Sequence, residues 1–481
     1  MNPRVVALLT SNLLFLVGLA MVAPVGLAVV DREPRTTAAY ATALFATLFA
    51  AILLRRAGRG APGTLHRKDA LGVVTLTWLC LGVFGALPFI IEGSIAHPVS
   101  AVFEAVSGFT TTGATVVSDV DGLTRATNLW RCLAHWIGGM GIVVLFVAIF
   151  PQLGVGAKHL FHAEVPGPVA EGLRPKIKQT ALSLWWIYAA LTAAATGLLM
   201  LAGMPIYDAV CHAFSTLGTG GFSTRSASIG AYANPVVDWI VLAFMLIAGL
   251  NFGLFYAALK GRPQELFRNY EVRFFLFANA VVILVVFWCI RARHPDALTA
   301  LRFAAFQTAA VTTTTGFMTE DFDAYPDVAR FALFLCMFMG GCAGSTAGGI
   351  KASRIYALFK LVMRELRATV QPNAVVAIRL GHGAVQPSVL NEIAVYVATF
   401  MLLFCAGSAI MVALGLDLVS ATSSVVACLS SVGPGLGAVG PTQNFEFVPP
   451  VGKMVLVFCM IAGRLEIFAL LAIFTRGVWR R

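Results

Sequence analysis

Thr110-Thr111-Thr112-Gly113-Ala114 is the phrase on which the reading of this chain turns. It returns as Gly218-Thr219-Gly220-Gly221-Phe222 and again as Thr313-Thr314-Thr315-Gly316-Phe317. A looser copy runs Ser431-Val432-Gly433-Pro434-Gly435. Each follows an apolar stretch of roughly a dozen residues, short of the ~20 that a spanning helix needs. Four hydroxyl- and glycine-rich turns, spaced by roughly a hundred residues, point to one ring assembled from four quarters. Inside a membrane, a ring of backbone carbonyls takes the place of a cation's hydration shell.

Working outward from the turns, one unit repeats: apolar helix, apolar half-helix, Thr/Gly turn, apolar helix, basic loop. The half-helices are expected at residues 98–109, 207–217, 299–311 and 417–429. They read as re-entrant segments, which are tolerated at membrane depth only when buried in protein or lining a wet cavity. Ahead of the units stand two apolar helices, at about residues 5–30 and 38–54. The first is too long for a signal-peptide core and reads as a retained helix. The expected organisation is therefore an N-terminal helix pair with its basic loop (1–69), followed by units at 70–180, 181–273, 274–390 and 391–481. The fold class is an all-α polytopic membrane protein with four pseudo-symmetric helix–pore-loop–helix repeats around a central pore. Outside the turns the copies share little sequence, so the repeat rests on hydropathy order and turn composition.

Composition agrees. The 481 residues are 58% hydrophobic and 12% charged, with a mean hydropathy of +0.83; soluble domains of this size are far less apolar. The net charge of +11 does not signify nucleic acid, because the basic residues fall in alternate loops. One set is Arg55, Arg56, Arg59, Arg67 and Lys68; others gather at Lys158 and Arg174, at Lys260 to Arg273, at Lys351 to Arg367, and at the C-terminal Arg476, Arg480 and Arg481. The intervening loops are poorer in Lys and Arg. By the positive-inside rule both termini are expected in the cytoplasm. The nine cysteines stand apart and read as small core residues rather than disulfides or metal ligands. No P-loop, zinc-protease or nucleophile-elbow signature occurs, so an intramembrane enzyme is a remote reading. His135 and His212 read as satisfied core groups, and Trp185-Trp186 as an interfacial belt.

Glycine suits a filter turn because the required torsions are ones a β-carbon resists. Half-helices entering from outside aim the negative ends of their dipoles at the bilayer centre. Oxygen-only ligands suit hard ions, and the turns contain no carboxylate that would favour divalent ions. Close helix packing by Gly and Thr is the competing explanation, and four matched copies weigh against it.

Two further features stand out. The run Gly340-Gly341-Cys342-Ala343-Gly344-Ser345-Thr346-Ala347-Gly348-Gly349-Ile350-Lys351 interrupts an otherwise continuous helix over 331–361 and should break it near mid-membrane. It reads as a mobile flap under the filter, against the alternative of a small-residue packing face. Arg464 is expected inside an apolar helix over 451–474, more than two turns from either end. A buried positive charge there faces a wet interior or a partner. Below a filter it would repel cations; the alternative is a structural Arg464–Glu466 interaction, although two-residue spacing does not place the pair on one helix face.

At these residues the chain resembles the Trk/Ktr/HKT superfamily of cation transporters, and within it the bacterial potassium-uptake membrane subunits. The resemblance is carried by residues 106–115, 214–216 through 222–224, 312–317, 340–351, 371–376, 433–437 and 463–468. It implies a homodimer with one pore per subunit, embedded in membrane lipid. It implies K⁺ held by main-chain carbonyls around Thr111, Thr112 and Gly113; Thr219, Gly220 and Gly221; and Thr314, Thr315 and Gly316. In the fourth unit Val432 and Gly433 keep the spacing, with Gly435 as the other candidate. No covalently bound cofactor is implied, only K⁺ in the filter. Gly113 stands where Na⁺-favouring relatives often carry serine, and Gly218 where relatives often carry alanine. The family's intramembrane gating loop maps onto Gly344, Ser345, Thr346, Ala347, Gly348 and Gly349, and its pore-blocking arginine onto Arg464. Its partner is a cytosolic nucleotide-binding ring of the TrkA type; no nucleotide-binding fingerprint occurs in this chain.

The expected function is potassium-selective uptake across the bacterial cytoplasmic membrane through a channel-like pore. The alternative is an H⁺- or Na⁺-coupled K⁺ symporter with a midplane site, for which Glu104 and Glu466 are the candidate carboxylates.

Overall fold

The computed structural model describes residues 1–62, 66–141, 176–371, 377–381 and 383–475. Lys158, Arg174, the 372–376 part of the 371–376 phrase and the C-terminal arginines lie outside the described residues. A two-residue hairpin, Arg379–Leu380 against Gly383–Ala384, is the sheet content described; the rest of the regular structure is helical. Six of the described helices are long and apolar enough to span a membrane.

The N-terminal run forms one span over Pro3–Val30, as expected, interrupted only at Met21 between Pro3–Ala20 and Val22–Val30. Pro24 lies in the first turn of the second piece, and its ring cannot follow a regular helix across residue 20. The helix Pro34–Ala57 returns alongside. Leu9, Leu13 and Val17 meet Tyr40 and Ala43 between them. The Tyr40 hydroxyl donates to Thr127 Oγ1 at 3.2 Å, which fastens the pair to the first unit.

Each unit has an outer helix, a half-helix and an inner helix. The outer helices are Arg67–Glu92, Lys176–Leu201, Tyr270–Ile290 and Pro387–Ala413. The half-helices are Pro98–Phe109, Ile206–Gly218, Ala297–Thr312 and Leu418–Leu429, each within two residues of its expected bounds. Their starts are fixed by local chemistry. Pro98 opens the first, and Asp296 and Asp417 cap the third and fourth by accepting the N–H groups of Thr299 at 2.8 Å and of Val419 and Ser420 at 3.1 Å. From Phe103 to Phe109, and from Ser423 to Leu429, every residue is buried. These non-spanning helices are thus enclosed by protein, as their lack of length demands. The apolar surface is instead turned outward on the long helices: Phe45, Trp186, Phe277, Trp288 and Leu402 are exposed, as a lipid-facing perimeter requires.

The inner helices are Arg125–Gly139, then Pro235–Ala248 with Phe252–Leu259, Asp327–Cys336 with Ala352–Val370, and Pro450–Arg464 with Phe468–Ile473. The second turns by 92° at residues 249–251. The third breaks over 337–351, the interruption expected from its glycines. The fourth breaks at Leu465, Glu466 and Ile467, where Glu466 and Ile467 take φ of +55° and +58°. The expected continuous helix over 451–474 is therefore corrected. Arg464 is the last residue of its helix, not a mid-helix residue.

Candidate functional site

The ends of the four half-helices have one geometry. Thr111, Thr219, Thr314 and Ser431 adopt φ of +56°, +53°, +55° and +59°. Two residues on, Gly113, Gly221, Gly316 and Gly433 adopt φ of +80°, +80°, +74° and +98°. L-residues avoid that region, and β-branched ones more so. The same hydrogen bonds stop each helix. Thr111 N donates to Gly108 O at 3.1 Å and Thr112 N to Ser107 O at 2.9 Å, and these recur as Thr219 to Thr216 and Gly220 to Ser215. The third and fourth turns repeat them as Thr314 to Val311 with Thr315 to Ala310, and Ser431 to Cys428 with Val432 to Ala427. This is the left-handed helix stop that normally takes glycine, here built on three threonines and a serine.

The four turns close on one another. A β-carbon on Gly113 would lie 1.9 Å from Gly220 O; on Gly221, 2.1 Å from Thr315 O; on Gly316, 2.1 Å from Val432 O; on Gly433, 2.5 Å from Thr112 O. Each glycine thus presses on the carbonyl of the next unit, in the order one, two, three, four and back to one. The four carbonyls belong to equivalent residues. In the first and third units the threonines flanking the left-handed residue pair with each other: Thr110 Oγ1 meets Thr112 Oγ1 at 2.8 Å, and Thr313 Oγ1 meets Thr315 Oγ1 at 2.8 Å. In the second unit the matching positions are Gly218 and Gly220, and His135 fills their space. A β-carbon on Gly220 would fall 2.3 Å from the His135 ring, and one on Gly218 would fall 2.6 Å from His135 O. His135 donates through Nδ1–H to Gly108 O at 2.7 Å and stacks on Phe222; its Nε2 has no partner among the described residues. His212 is satisfied at both nitrogens, by Asp208 O and Ser223 Oγ.

Gly435 lies off the ring. Its N–H donates to Val439 O at 2.8 Å, and a β-carbon there would lie 2.8 Å from Ser423 Oγ. The fourth turn is Ser431-Val432-Gly433.

A set of residues read from the sequence in other roles, or in none, supports the ring from behind. Seven residues before each left-handed threonine stand Glu104, His212 and Gln307. Glu104 accepts from Thr115 Oγ1 and Val116 N, both at 2.9 Å, and from Arg131 Nε at 2.8 Å. Gln307 donates to Thr319 Oγ1 at 3.2 Å and to Glu320 O at 3.0 Å. In the fourth unit Ser423, one residue displaced, binds Leu436 N and O at 2.9 and 3.0 Å. Each group ties its half-helix to the chain leaving the turn. Arg131 and Glu104 form a buried ion pair, 2% and 0% exposed, and Arg131 reaches Ser223 O of the second unit. No pattern in one sequence marks Arg131; the period of seven from each turn was the available signal for the rest.

Beneath the turns, on the side where the half-helices end, lies the glycine-rich segment. Gly348 N donates to Thr314 Oγ1 at 2.7 Å, and a β-carbon on Gly348 would lie 2.1 Å from Ser430 O. The segment therefore touches the third and fourth turns directly. Gly344 and Gly349 take φ of +75° and +73°, Ser345 Oγ donates to Cys342 O at 2.6 Å, and Ala347 O accepts from Lys351 Nζ. Thr346 Oγ1 donates to Ala248 O at 3.2 Å. Arg464 joins this segment to the first unit: it donates to Thr346 O at 2.9 Å, to Gly139 O at 3.0 Å and to Gly138 O. Glu466 pairs not with Arg464 but with Arg354, at 2.6 Å.

The fold and this ring define a class: a membrane-spanning transport protein whose four half-helices converge on one set of main-chain oxygens. The chain belongs to the TrkH family. The family profile, described as a cation transport protein, matches residues 39–477. The chain is 40% identical to the Trk system potassium uptake protein TrkH of Salmonella typhimurium and 39% to that of Escherichia coli K12, over the whole of each chain. It is 32% identical to the E. coli K12 Trk system potassium uptake protein TrkG, over 100% of this chain and 99% of the relative. The crystal structure of the potassium transporter TrkH from Vibrio parahaemolyticus superposes with a TM-score of 0.90 at 36% identity, covering both chains fully.

Proposed function

We propose that this chain is the membrane subunit of a potassium-uptake system, conducting K⁺ through the ring of Thr112, Gly220, Thr315 and Val432 carbonyls. The observation that carries the reading is the closed contact order of the four turns, each glycine against the next unit's carbonyl. Carbonyl dipoles from four separate half-helices, with helix C-termini behind them, supply a neutral, oxygen-only cage suited to a desolvated monovalent cation. Thr111, Thr219, Thr314 and Ser431 bring hydroxyls and carbonyls to the inner edge of the same cage, with Gly113, Gly221, Gly316 and Gly433 at its outer edge. Potassium is favoured because the whole-length relatives are named for potassium uptake and because Gly113 leaves the first position unsubstituted.

Residues 344–349 act as the gate, held shut against Thr314 and Ser430, and Arg464 is the bolt that crosses from the fourth unit to the first. The protein sits in the bacterial cytoplasmic membrane with both termini inside, works as a homodimer with one pore per subunit, and takes its nucleotide control from a cytosolic TrkA-type ring. A channel-like mechanism is preferred over symport because both candidate coupling carboxylates are committed to ion pairs, Glu104 to Arg131 and Glu466 to Arg354.

The deciding measurement is ion flux into vesicles reconstituted with this chain alone, using K⁺, Rb⁺ and Na⁺. Saturable K⁺ and Rb⁺ flux that discriminates against Na⁺ is expected; equal passage of Na⁺ sinks the filter assignment.

A further inference from the structure

The glycine-rich segment is tied at its base by one carboxylate that none of the preceding roles uses. Glu271 lies in the first turn of the outer helix Tyr270–Ile290 and is buried. Asn269 caps that helix, accepting from Glu271 N at 2.9 Å and Val272 N at 3.2 Å, so the helix start is fixed. From this platform Glu271 Oε1 accepts two backbone N–H groups, Ala343 at 2.7 Å and Ser353 at 3.0 Å. Ala343 stands at the head of the segment; Ser353 stands in the first turn of the helix that follows it.

The two ends also pair with each other through Ile350 N to Phe338 O at 3.1 Å and Ala352 N to Gly341 O at 3.0 Å. Those bonds zip the ends together but do not say where the zipped pair sits. Glu271 does, because it belongs to another helix. Bonds from a carboxylate to backbone N–H are charge-assisted, and the charge lies at the positive end of the helix Ala352–Val370. The next residue, Arg354, grips Glu466 in the fourth unit and lies over the Tyr396 ring at 4.0 Å. The helix that leads away from the membrane side of the gate is thereby clamped at its first turn from two sides.

We propose that Glu271 is a positioning residue that sets the closed seat of segment 344–349 and couples it to helix Ala352–Val370. The segment withdraws from the turns when Ala343 and Ser353 leave the carboxylate, so a pull on that helix is felt at the filter. The inference rests on the reading of the segment as a gate, and its test separates the two.

The experiment uses full-length protein in vesicles without any cytosolic partner. Glu271→Ala removes both acceptors, and Rb⁺ flux is expected to rise about tenfold, within the usual range of coupling between sites, with Rb⁺-over-Na⁺ preference unchanged. Glu271→Gln keeps an acceptor oxygen and is expected to recover most of the closed behaviour. Glu271→Asp keeps the charge but withdraws it by one methylene, and is expected to leak; it serves if the alanine variant does not fold. In parallel, Ser345→Cys is introduced into each background, and its modification by a water-soluble thiol reagent is timed against the same background without it. Faster modification in the alanine and aspartate variants than in the glutamine variant supports the clasp. Faster modification with unchanged flux keeps the clasp and removes the gate. Parental modification rates in all three variants overturn the proposal, as does equal leak from the alanine and glutamine variants, which would assign the effect to charge alone.

Discussion

Thr111, Thr219, Thr314 and Ser431 hold left-handed torsions in a region that costs an L-residue about 1–2 kcal/mol. The protein accepts that cost four times at equivalent places. The glycines two residues on have no such choice, because a β-carbon would enter the neighbour's carbonyl. Gly113→Ser must therefore push the Gly220 carbonyl off its place in the ring. We expect the K⁺-over-Na⁺ flux ratio to fall about tenfold, equivalent to ~1.4 kcal/mol of discrimination; an unchanged ratio argues against the ring as the selective element. Behind the ring, Arg131→Leu strands Glu104 as an unpaired buried charge. Such losses cost about 3–5 kcal/mol, and a clear drop in the melting temperature of detergent-solubilised protein is expected. Replacing Glu104 by Leu in the same molecule should return part of it. Glu104 was legible in the sequence only as a lone intramembrane carboxylate, which suggested ion coupling. Its partner lies 27 residues away on another helix, and no local pattern joins them.

At the scale of elements, the half-helices were legible because three local signals coincide: an apolar run of limited length, a proline or aspartate at the start, and a Thr/Gly stop. The inner helices were less so. The glycine run at 340–349 announces its break, but the break at 465–467 has no glycine or proline after Gly463 to mark it. It arises where Glu466 and Ile467 leave helical torsions, while Glu466 is drawn to Arg354 and Arg464 turns toward Gly138 and Gly139. That arrangement gives Arg464→Ala a definite consequence. Hydrogen bonds from a charged group contribute about 1.5–3 kcal/mol, so their loss should release Thr346 and raise unstimulated Rb⁺ flux several-fold. Removal of residues 344–349 should have the larger effect. If the shortened protein conducts no better than the parent, the segment is architectural.

At the scale of the molecule, the ring exists only because four distant pieces of chain meet. The contacts around its outer side run in the same order. Arg131 reaches Ser223 O, Arg302 lies 3.4 Å from Asp238, Asp323 accepts from Gly437 N at 3.1 Å, and Lys453 donates to Ser100 at 2.8 Å. Each joins one unit to the next, the last returning from the fourth to the first. The channel-like mechanism proposed for this pore needs no moving carboxylate. In vesicles with and without an imposed pH gradient, K⁺ flux should follow the K⁺ gradient, with no stoichiometric proton movement. Proton uptake in step with K⁺ would restore the symport reading.

Hydropathy, the spacing of the four turns and the chemistry of glycine and threonine are local properties, and they determined the membrane class, the short half-helices and the site of the turns. Which carbonyl faces which glycine, which cation neutralises Glu104, and where Arg464 directs its guanidinium depend on contacts between units tens to hundreds of residues apart. Those contacts were decided by tertiary structure, because burial leaves each polar group only the partners that packing brings within reach.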